Sequence, residues 1–246
     1  MIRYLNILLF GGMIAMNYLA NALPLNNKTT GQLSDSYPNL FVPAGVTFSI
    51  WGIIYLLIAV YCILQFTMAN QALVQRIGWY LAFSCVFNAL WIVFWHYEKL
   101  PFSLIVMVAL LITLIIINKL LRNTPTGISK ATFGIYLGWI CIALIANVTA
   151  LLVRYGWTGF GISDEIWAIV MILAGAGIAS LAIVAFKNPF IGLSVTWAFT
   201  GIILKRHSDY RSIVIACAAA MLVVVLVMIW QFFSRNTDNL LAFKTA

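Results

Sequence analysis

Three apolar stretches of the sequence carry tryptophan, tyrosine and asparagine side chains at helical spacing. In chain order these residues are Trp51 and Tyr55, then Asn88 and Trp91, and then Trp139, Ala143 and Asn147. Residues three or four apart share one face of a helix. Indole rings stack on a flat ligand, a small residue leaves room for it, and an amide hydrogen-bonds its polar edge. The pattern predicts the wall of a ligand-binding cavity.

Two other interpretations of these residue types apply in a membrane. Tryptophan and tyrosine anchor helices at the membrane–water interface, and asparagine often joins neighbouring helices. We assign the anchoring role to the rings near the ends of apolar stretches, which are Trp79, Trp95, Trp157, Trp167 and Trp230. For the deeper rings, Trp51, Trp91 and Trp139, we favour ligand contact. Asn88 and Asn147 fit interhelical hydrogen bonding equally well.

Ionisable groups are missing from the middle of every apolar stretch. The acidic residues and both histidines fall in loops or near the ends of stretches. Proton relays and intramembrane hydrolysis need such groups within the bilayer. No nucleotide-binding loop or nucleophile–base pattern is present either. The sequence therefore predicts no catalytic residue and no metal ligand, and favours a binding function.

The composition places the chain in a membrane. Of its 246 residues 64% are hydrophobic and 8% are charged, with mean hydropathy +1.03, whereas soluble domains contain about 25% charged residues. We predict an all-α, polytopic integral membrane bundle of about eight helices. The predicted spans are 4–22, 43–68, 76–95, 102–120, 132–153, 165–186, 189–204 and 212–233. The short stretch 189–204 leaves seven spans as the alternative.

A slight excess of lysine and arginine on the N-terminal side of these spans predicts that both chain ends are cytoplasmic. We expect a multi-pass protein of a bacterial plasma membrane. Residues 23–42 form the long loop between the first two spans, and a loop of this length is often a lid or a binding loop. In the sixth span, Gly175 and Ala179 form a small-residue face that suits packing within the bundle or against a second copy.

The same stretches resemble the TspO/MBR family, the translocator protein or tryptophan-rich sensory protein. The matching positions are Pro43, Trp51 and Tyr55 in the second span, Asn88, Trp91, Phe94 and Trp95 in the third, and Tyr136, Leu137, Trp139 and Asn147 in the fifth. The resemblance covers about residues 1–155. Residues 156–246 continue past the usual family end, and Ile92 stands where many members have proline. The chain thus resembles a divergent, extended member.

The resemblance implies two domains and a ligand class. Residues 1–155 would form a TspO-like five-helix core, and residues 156–246 an extension of two or three transmembrane helices. The pocket would lie beneath the first loop and bind tetrapyrroles or sterol-like lipids. Its lining, carried over by position, would be Trp51, Tyr55, Asn88, Trp91, Trp139, Ala143 and Asn147.

We therefore expect a membrane protein that binds a hydrophobic or amphipathic ligand and acts as sensor, carrier or regulator. A permease subunit is the first alternative, and a porphyrin-degrading enzyme that uses an indole as redox partner is the second. No cofactor is required by the sequence, and a tetrapyrrole such as haem or protoporphyrin is expected only as a ligand. The expected partners are membrane lipid, that ligand and a second copy of the chain, but no nucleic acid.

Overall fold

The computed structural model describes residues 1–23 and 25–244, with side chains described as far as residue 234. Every regular element among the described residues is helical. The α-helices are α1 (Ile2–Asn21), α2 (Thr30–Asp35), α3 (Ile50–Leu64), α4 (Gln71–His96), α5 (Leu100–Leu120), α6 (Ile128–Arg154), α7 (Asp164–Phe186), α8 (Ile191–Arg206) and α9 (Arg211–Lys244). Short 3₁₀ helices occur at Leu25–Asn27, Gly45–Ser49 and Gly159–Gly161. The predicted helical membrane bundle is confirmed.

Seven of these helices are long and apolar enough to cross a membrane. The predicted span 189–204 forms α8, which has 16 residues and is shorter than a typical span. Its two ends nevertheless contact opposite ends of the bundle. Asn188 hydrogen-bonds Asn118 at the end that holds the N-terminus, and Arg206 hydrogen-bonds the carbonyl of Asn39 in the first loop at the other end. By length the bundle has seven spans, and by its path α8 is an eighth crossing.

The helices pack in an order that places α6 and α8 at the centre. Helix α1 packs on α4, α4 on α5, and α5 on α6, while α3 also packs on α6. Helix α8 lies against α6 on one side and against α7 and α9 on the other. The contact between α6 and α8 therefore joins the first five crossings to the last three.

Two glycines of α6 allow this close approach. A Cβ added at Gly134 would lie 2.6 Å from the side-chain nitrogen of Asn188, and one added at Gly138 would overlap the carbonyl oxygen of Ile191. Gly134 and Gly138 are four residues apart, so they form a small-xxx-small face on α6. The backbone of α8 fills the groove that this face creates.

The small-residue face of α7 also packs within the bundle. Gly175 and Ala179 are buried, and a Cβ added at Gly175 would lie 3.0 Å from Ile142 of α6 and 3.6 Å from Phe199 of α8. Of the two roles considered for this face, the structure shows packing inside the bundle. Pairing with a second copy of the chain stays a prediction. The division of the chain at residue 155 also stays a prediction, and the α6–α8 contact gives its two parts a shared interface.

The path of the chain places the start of α1 and the part of α9 near Met228 on one side of the bundle. Arg3 hydrogen-bonds Gln71 at that end, and Met228 of α9 lies beside Gly192 at the start of α8. Topology reporters fused before residue 1 and after Ser234 should report the same side, and a reporter at Gly156 should report the other. If the two end fusions reported opposite sides, α8 would not cross the membrane.

The α6–α8 contact should be sensitive to one methyl group. Gly138→Ala forces the added carbon against the α8 backbone, and overpacking of this kind costs about 1–3 kcal/mol. We expect a lower melting temperature in detergent. Gly177→Ala is the matched control, because no atom lies within 4 Å of its added Cβ and alanine favours a helix over glycine by about 1 kcal/mol. Equal stability of the two variants would contradict the packing described.

Candidate functional site

Five of the seven predicted ligand-binding residues line one internal cavity, which we call the aromatic cavity. They are Trp51, Trp91, Trp139, Ala143 and Asn147. Helices α3, α4 and α6 supply them, as the three sequence stretches predict. Each stretch directs its indole towards the interior of the bundle, where the ring of Trp51 meets those of Trp91 and Trp139.

The indoles of the aromatic cavity pack mainly on one another. The ring centroid of Trp51 lies 5.8 Å from that of Trp91, and 6.1 Å from that of Trp139 in an edge-on arrangement. These separations are typical of favourable aromatic pairs. The space left between the rings is about 40 Å³. This volume suffices for a few water molecules but is far below the roughly 300–1,000 Å³ of a pocket for a drug-sized ligand.

Tyr55 and Asn88 do not line the aromatic cavity. Tyr55 stacks on Trp51 at 5.5 Å and faces an adjoining groove between α1 and α3, which shares Thr30, Phe48 and Trp51 with the cavity. The Asn88 amide donates to the Tyr136 hydroxyl at 3.0 Å, and its oxygen accepts a hydrogen bond from Asn17 at 2.9 Å. Asn88 therefore joins α4 to α1 and α6, which is the interhelical role considered for it. A ligand contact by Tyr55 or Asn88 stays a prediction.

Trp95 is the main cavity residue that the sequence reasoning missed. Its place near the end of an apolar stretch predicts an anchoring role, but Trp95 is only 5% exposed, it lines the cavity, and its ring stacks on Trp91 at 6.0 Å. The sequence does indicate this position, because Trp95 follows Trp91 by four residues and so lies on the same face of α4. The remaining lining residues are Thr30, Ser34, Pro43, Phe48, Ile142 and Ala146. Ala146 continues the α6 stripe of Trp139 and Ala143 at helical spacing.

Four polar atoms of the cavity-lining side chains are buried without a hydrogen-bond partner among the described residues. They are the indole nitrogens of Trp91, Trp95 and Trp139 and the side-chain oxygen of Asn147. The Asn147 amide nitrogen does have a partner, since it donates to the Ser103 hydroxyl at 2.8 Å. An unpaired buried polar group costs about 1–3 kcal/mol. The cavity thus offers three N–H donors and one acceptor to a molecule that enters it.

The first loop covers the cavity, as a lid would. We call residues 25–44 the cover. Its helix α2 begins at a capping box, in which the Thr29 hydroxyl accepts from the Gln32 N–H and the Gln32 side chain accepts from the Thr29 N–H. Thr30 and Ser34 of this helix line the aromatic cavity. The apolar side chains of Leu33 and Phe41 are fully buried, so the cover is a packed part of the fold.

The loop after α4 holds the cover on one side. The Tyr37 hydroxyl donates to Glu98 at 2.9 Å, and Lys28 lies 3.5 Å from the same carboxylate. Burial, with help from the hydrogen bond to Glu98, raises the pKa of Tyr37 from 10.0 to about 12. The tyrosine therefore stays neutral and donates at physiological pH.

Helix α8 holds the cover on the other side. Lys205 pairs with Asp35 at 2.5 Å, and Arg206 donates to the Asn39 carbonyl at 2.6 Å. The Ala44 N–H donates to the Gly201 carbonyl at 3.0 Å, where the lack of a side chain on Gly201 leaves room for Thr47. The position of the cover therefore depends on α8, a helix that lies beyond residue 155.

Comparison with known proteins gives one match. The sequence model of the family described as TSPO-like protein matches residues 3–230. This match extends beyond the first five crossings and includes α7, α8 and most of α9. No curated protein and no solved structure gives a significant match.

Removing the Tyr37 hydroxyl should loosen the cover. Tyr37→Phe deletes a hydrogen bond to a partly exposed carboxylate, for which we expect a loss of about 1 kcal/mol. Hydrogen exchange of amides 25–44 should then be about fivefold faster. Because the pKa is raised, the wild-type contact is fully present below pH 10 and is lost as the pH rises through about 12.

Tyr155→Phe is the control for this experiment, since Tyr155 is 71% exposed and lies outside the cover. Unchanged exchange of residues 25–44 in Tyr37→Phe would mean that other contacts alone hold the cover.

Proposed function

The chain belongs to the TSPO-like protein family, and we propose that it binds an amphipathic ligand, a tetrapyrrole or a lipid, in the aromatic cavity. It is an integral multi-pass membrane protein. In the proposed function, the ligand enters beneath the cover, and the protein acts as a sensor, carrier or regulator in the membrane.

The unpaired polar atoms of the cavity are the observation that carries the proposal. Three indole N–H groups and the Asn147 oxygen are buried without hydrogen bonds, which costs folding free energy. A ligand that hydrogen-bonds to these atoms would remove that cost. The fitting ligand has a flat or elongated apolar body, acceptor oxygens for the indoles and a donor for Asn147. A tetrapyrrole with carboxylate side chains meets this description, as does a lipid with hydroxyl and carbonyl groups.

Because the cavity is small, the proposed ligand can bind only if part of the protein moves. A ligand of this class needs several hundred Å³, so rings that fill the cavity must rotate or the cover must lift. Phe48 is a suitable moving part, because it is only partly buried and meets Trp139 edge-on at 6.0 Å. Ligand occupancy would then be coupled to the position of the cover, which a partner can detect. This coupling favours a sensor or regulator over a passive store.

A specific observation also favours the enzymatic alternative. Trp51, Trp91 and Trp95 form a continuous row of rings with neighbouring centroids 5.8 and 6.0 Å apart. Such a row suits the supply of an electron from an indole to a photoexcited porphyrin, which leaves an indole radical cation and a porphyrin radical anion. Loss of porphyrin absorbance under light, compared between wild type and Trp91→Phe, separates degradation from binding. Light-dependent loss that requires Trp91 supports the enzyme, and a stable bound porphyrin supports the binder.

Substitution of Trp139 tests the proposed site. Trp139→Leu keeps apolar bulk but removes the indole face and its N–H. An aromatic contact is worth about 1 kcal/mol beyond its buried area, and each 1.4 kcal/mol changes affinity tenfold. Titration with protoporphyrin, followed by quenching of its fluorescence, should show affinity reduced several-fold to tenfold. Ala143→Phe should weaken binding further, because Ala143 lines the space that the ligand needs.

Trp230→Leu is the matched control, since Trp230 is 57% exposed on α9 and lies outside the cavity. All variants are first compared by melting temperature in detergent. Wild-type affinity in correctly folded Trp139→Leu and Ala143→Phe would place the ligand elsewhere and leave the aromatic cavity as helix packing.

A further inference from the structure

A second cavity lies between α6 and α7, and we call it the slot. Its volume is about 560 Å³, more than ten times that of the aromatic cavity, and the two share no lining residue. Its walls are mainly apolar and include Leu144, Val148 and Leu152 of α6 and Met171, Ala174 and Ile178 of α7. The slot therefore suits a hydrocarbon chain in size and in chemistry.

The slot exists because α6 and α7 diverge. Helix α6 packs chiefly on α5 and α8, and α7 chiefly on α9, so the two helices meet each other only briefly. Thr149 of α6 lies 3.1 Å from the sulfur of Met171 where they do meet. Val148 and Ile178 are 36% and 46% exposed in the slot wall. The slot is thus open along the apolar outer surface, where a chain can enter sideways from the bilayer.

One end of the slot adjoins an open chamber that is lined on one side by the cover and carries charged residues. This chamber has a volume of about 320 Å³ and shares Pro38, Asn39, Leu40 and Asp164 with the slot. Lys205 and Arg206 also line it. An apolar slot that continues into a charged chamber matches the shape of an amphiphile, with its chain in the slot and its headgroup in the chamber.

The charges of the chamber specify the headgroup. Lys205 is neutralised by Asp35, with which it is paired. Among the described residues Arg206 donates only to backbone carbonyls, so no carboxylate pairs directly with its positive charge. Asp209 and Asp35 lie near enough to weaken the electrostatic potential of the guanidinium. Asp164 makes no ion pair within the described part of the chain. One cation and one anion remain, which complements a headgroup that carries both signs.

We infer that the slot and its chamber bind a zwitterionic membrane phospholipid. One acyl chain lies between α6 and α7, the phosphate faces Arg206, and the ammonium faces Asp164. The indoles of Trp157 and Trp167 stand at the chamber end of the slot, with centroids 5.0 Å apart, and Trp167 is fixed by a hydrogen bond to the Gly159 carbonyl. Tryptophan at this position suits the level of lipid headgroups.

Native mass spectrometry of the full-length protein tests this inference. The purified chain is delipidated and incubated with equal amounts of phosphatidylethanolamine and phosphatidylglycerol that have the same acyl chains. We expect one retained lipid per chain, with at least a fivefold preference for phosphatidylethanolamine. Equal retention of the two lipids, or preference for phosphatidylglycerol, would overturn the assignment of the headgroup.

Two variants locate the lipid. Ala174→Trp fills the slot and should reduce the retained lipid at least tenfold. Ala219→Trp is the matched control, because it places the same ring at an exposed position of α9 that is outside the slot, and it should retain lipid as wild type does. Equal retention by the two variants would overturn the site.

Asp164→Asn keeps the test valid if Ala174→Trp does not fold. It removes the charge assigned to the ammonium and keeps the shape of the side chain. We expect total lipid retention to persist while the preference for phosphatidylethanolamine falls several-fold towards unity. An unchanged preference would show that Asp164 does not contact the headgroup, and the inference would fail.

Discussion

The side-chain amide of Asn188 joins three helices, and the positions of α8 and of the cover depend on it. Its nitrogen donates to the Asn118 side chain at 2.9 Å and to the Lys130 carbonyl at 3.0 Å, and its oxygen accepts from the Phe190 N–H. A buried amide in a low-dielectric bundle must satisfy its bonding groups within the protein. This fixes the start of α8 against α5 and α6. The other end of α8 then lies where Gly201 and Arg206 contact the cover. The hydrogen bonds of Asn188 at one end of the bundle therefore stabilise the cover at the other end.

The membrane-spanning segments could be predicted because hydropathy alone decides which segments insert into a membrane. The eight predicted stretches are all helical, with boundaries shifted by a few residues. The short length of α8 follows from the short apolar stretch 189–204, but the 3₁₀ turn at Gly45–Ser49 could not be predicted, because it follows from close contacts between distant segments. The pair Gly134 and Gly138 of α6 has the same small-xxx-small spacing as Gly175 and Ala179 of α7. Spacing does not say which small-residue face receives a neighbouring helix.

The candidate site could be predicted in part for a similar reason. Helical spacing brings Trp51, Trp91 and Trp139 to one place, and the structure has them there. Spacing does not show whether rings that converge will face a ligand or one another, because that depends on the width of the bundle. It also does not show which partner an amide chooses, and Asn88 takes Tyr136 and Asn17. The slot has no sequence signal, since it results from the divergence of two ordinary apolar helices.

The glycine face of α6 bears on how the chain is made. Residues 134 and 138 emerge from the ribosome before residues 188 and 191 do, because some 50 residues separate them. At about 5–20 residues per second, the delay is several seconds. Through that time the α6 groove faces lipid or the insertion machinery, and the Asn118 oxygen lacks the amide that later binds it. Biogenesis therefore passes through an intermediate with an unfilled groove in its wall. A chaperone or a lipid that shields this surface until α8 emerges would raise the yield of folded protein.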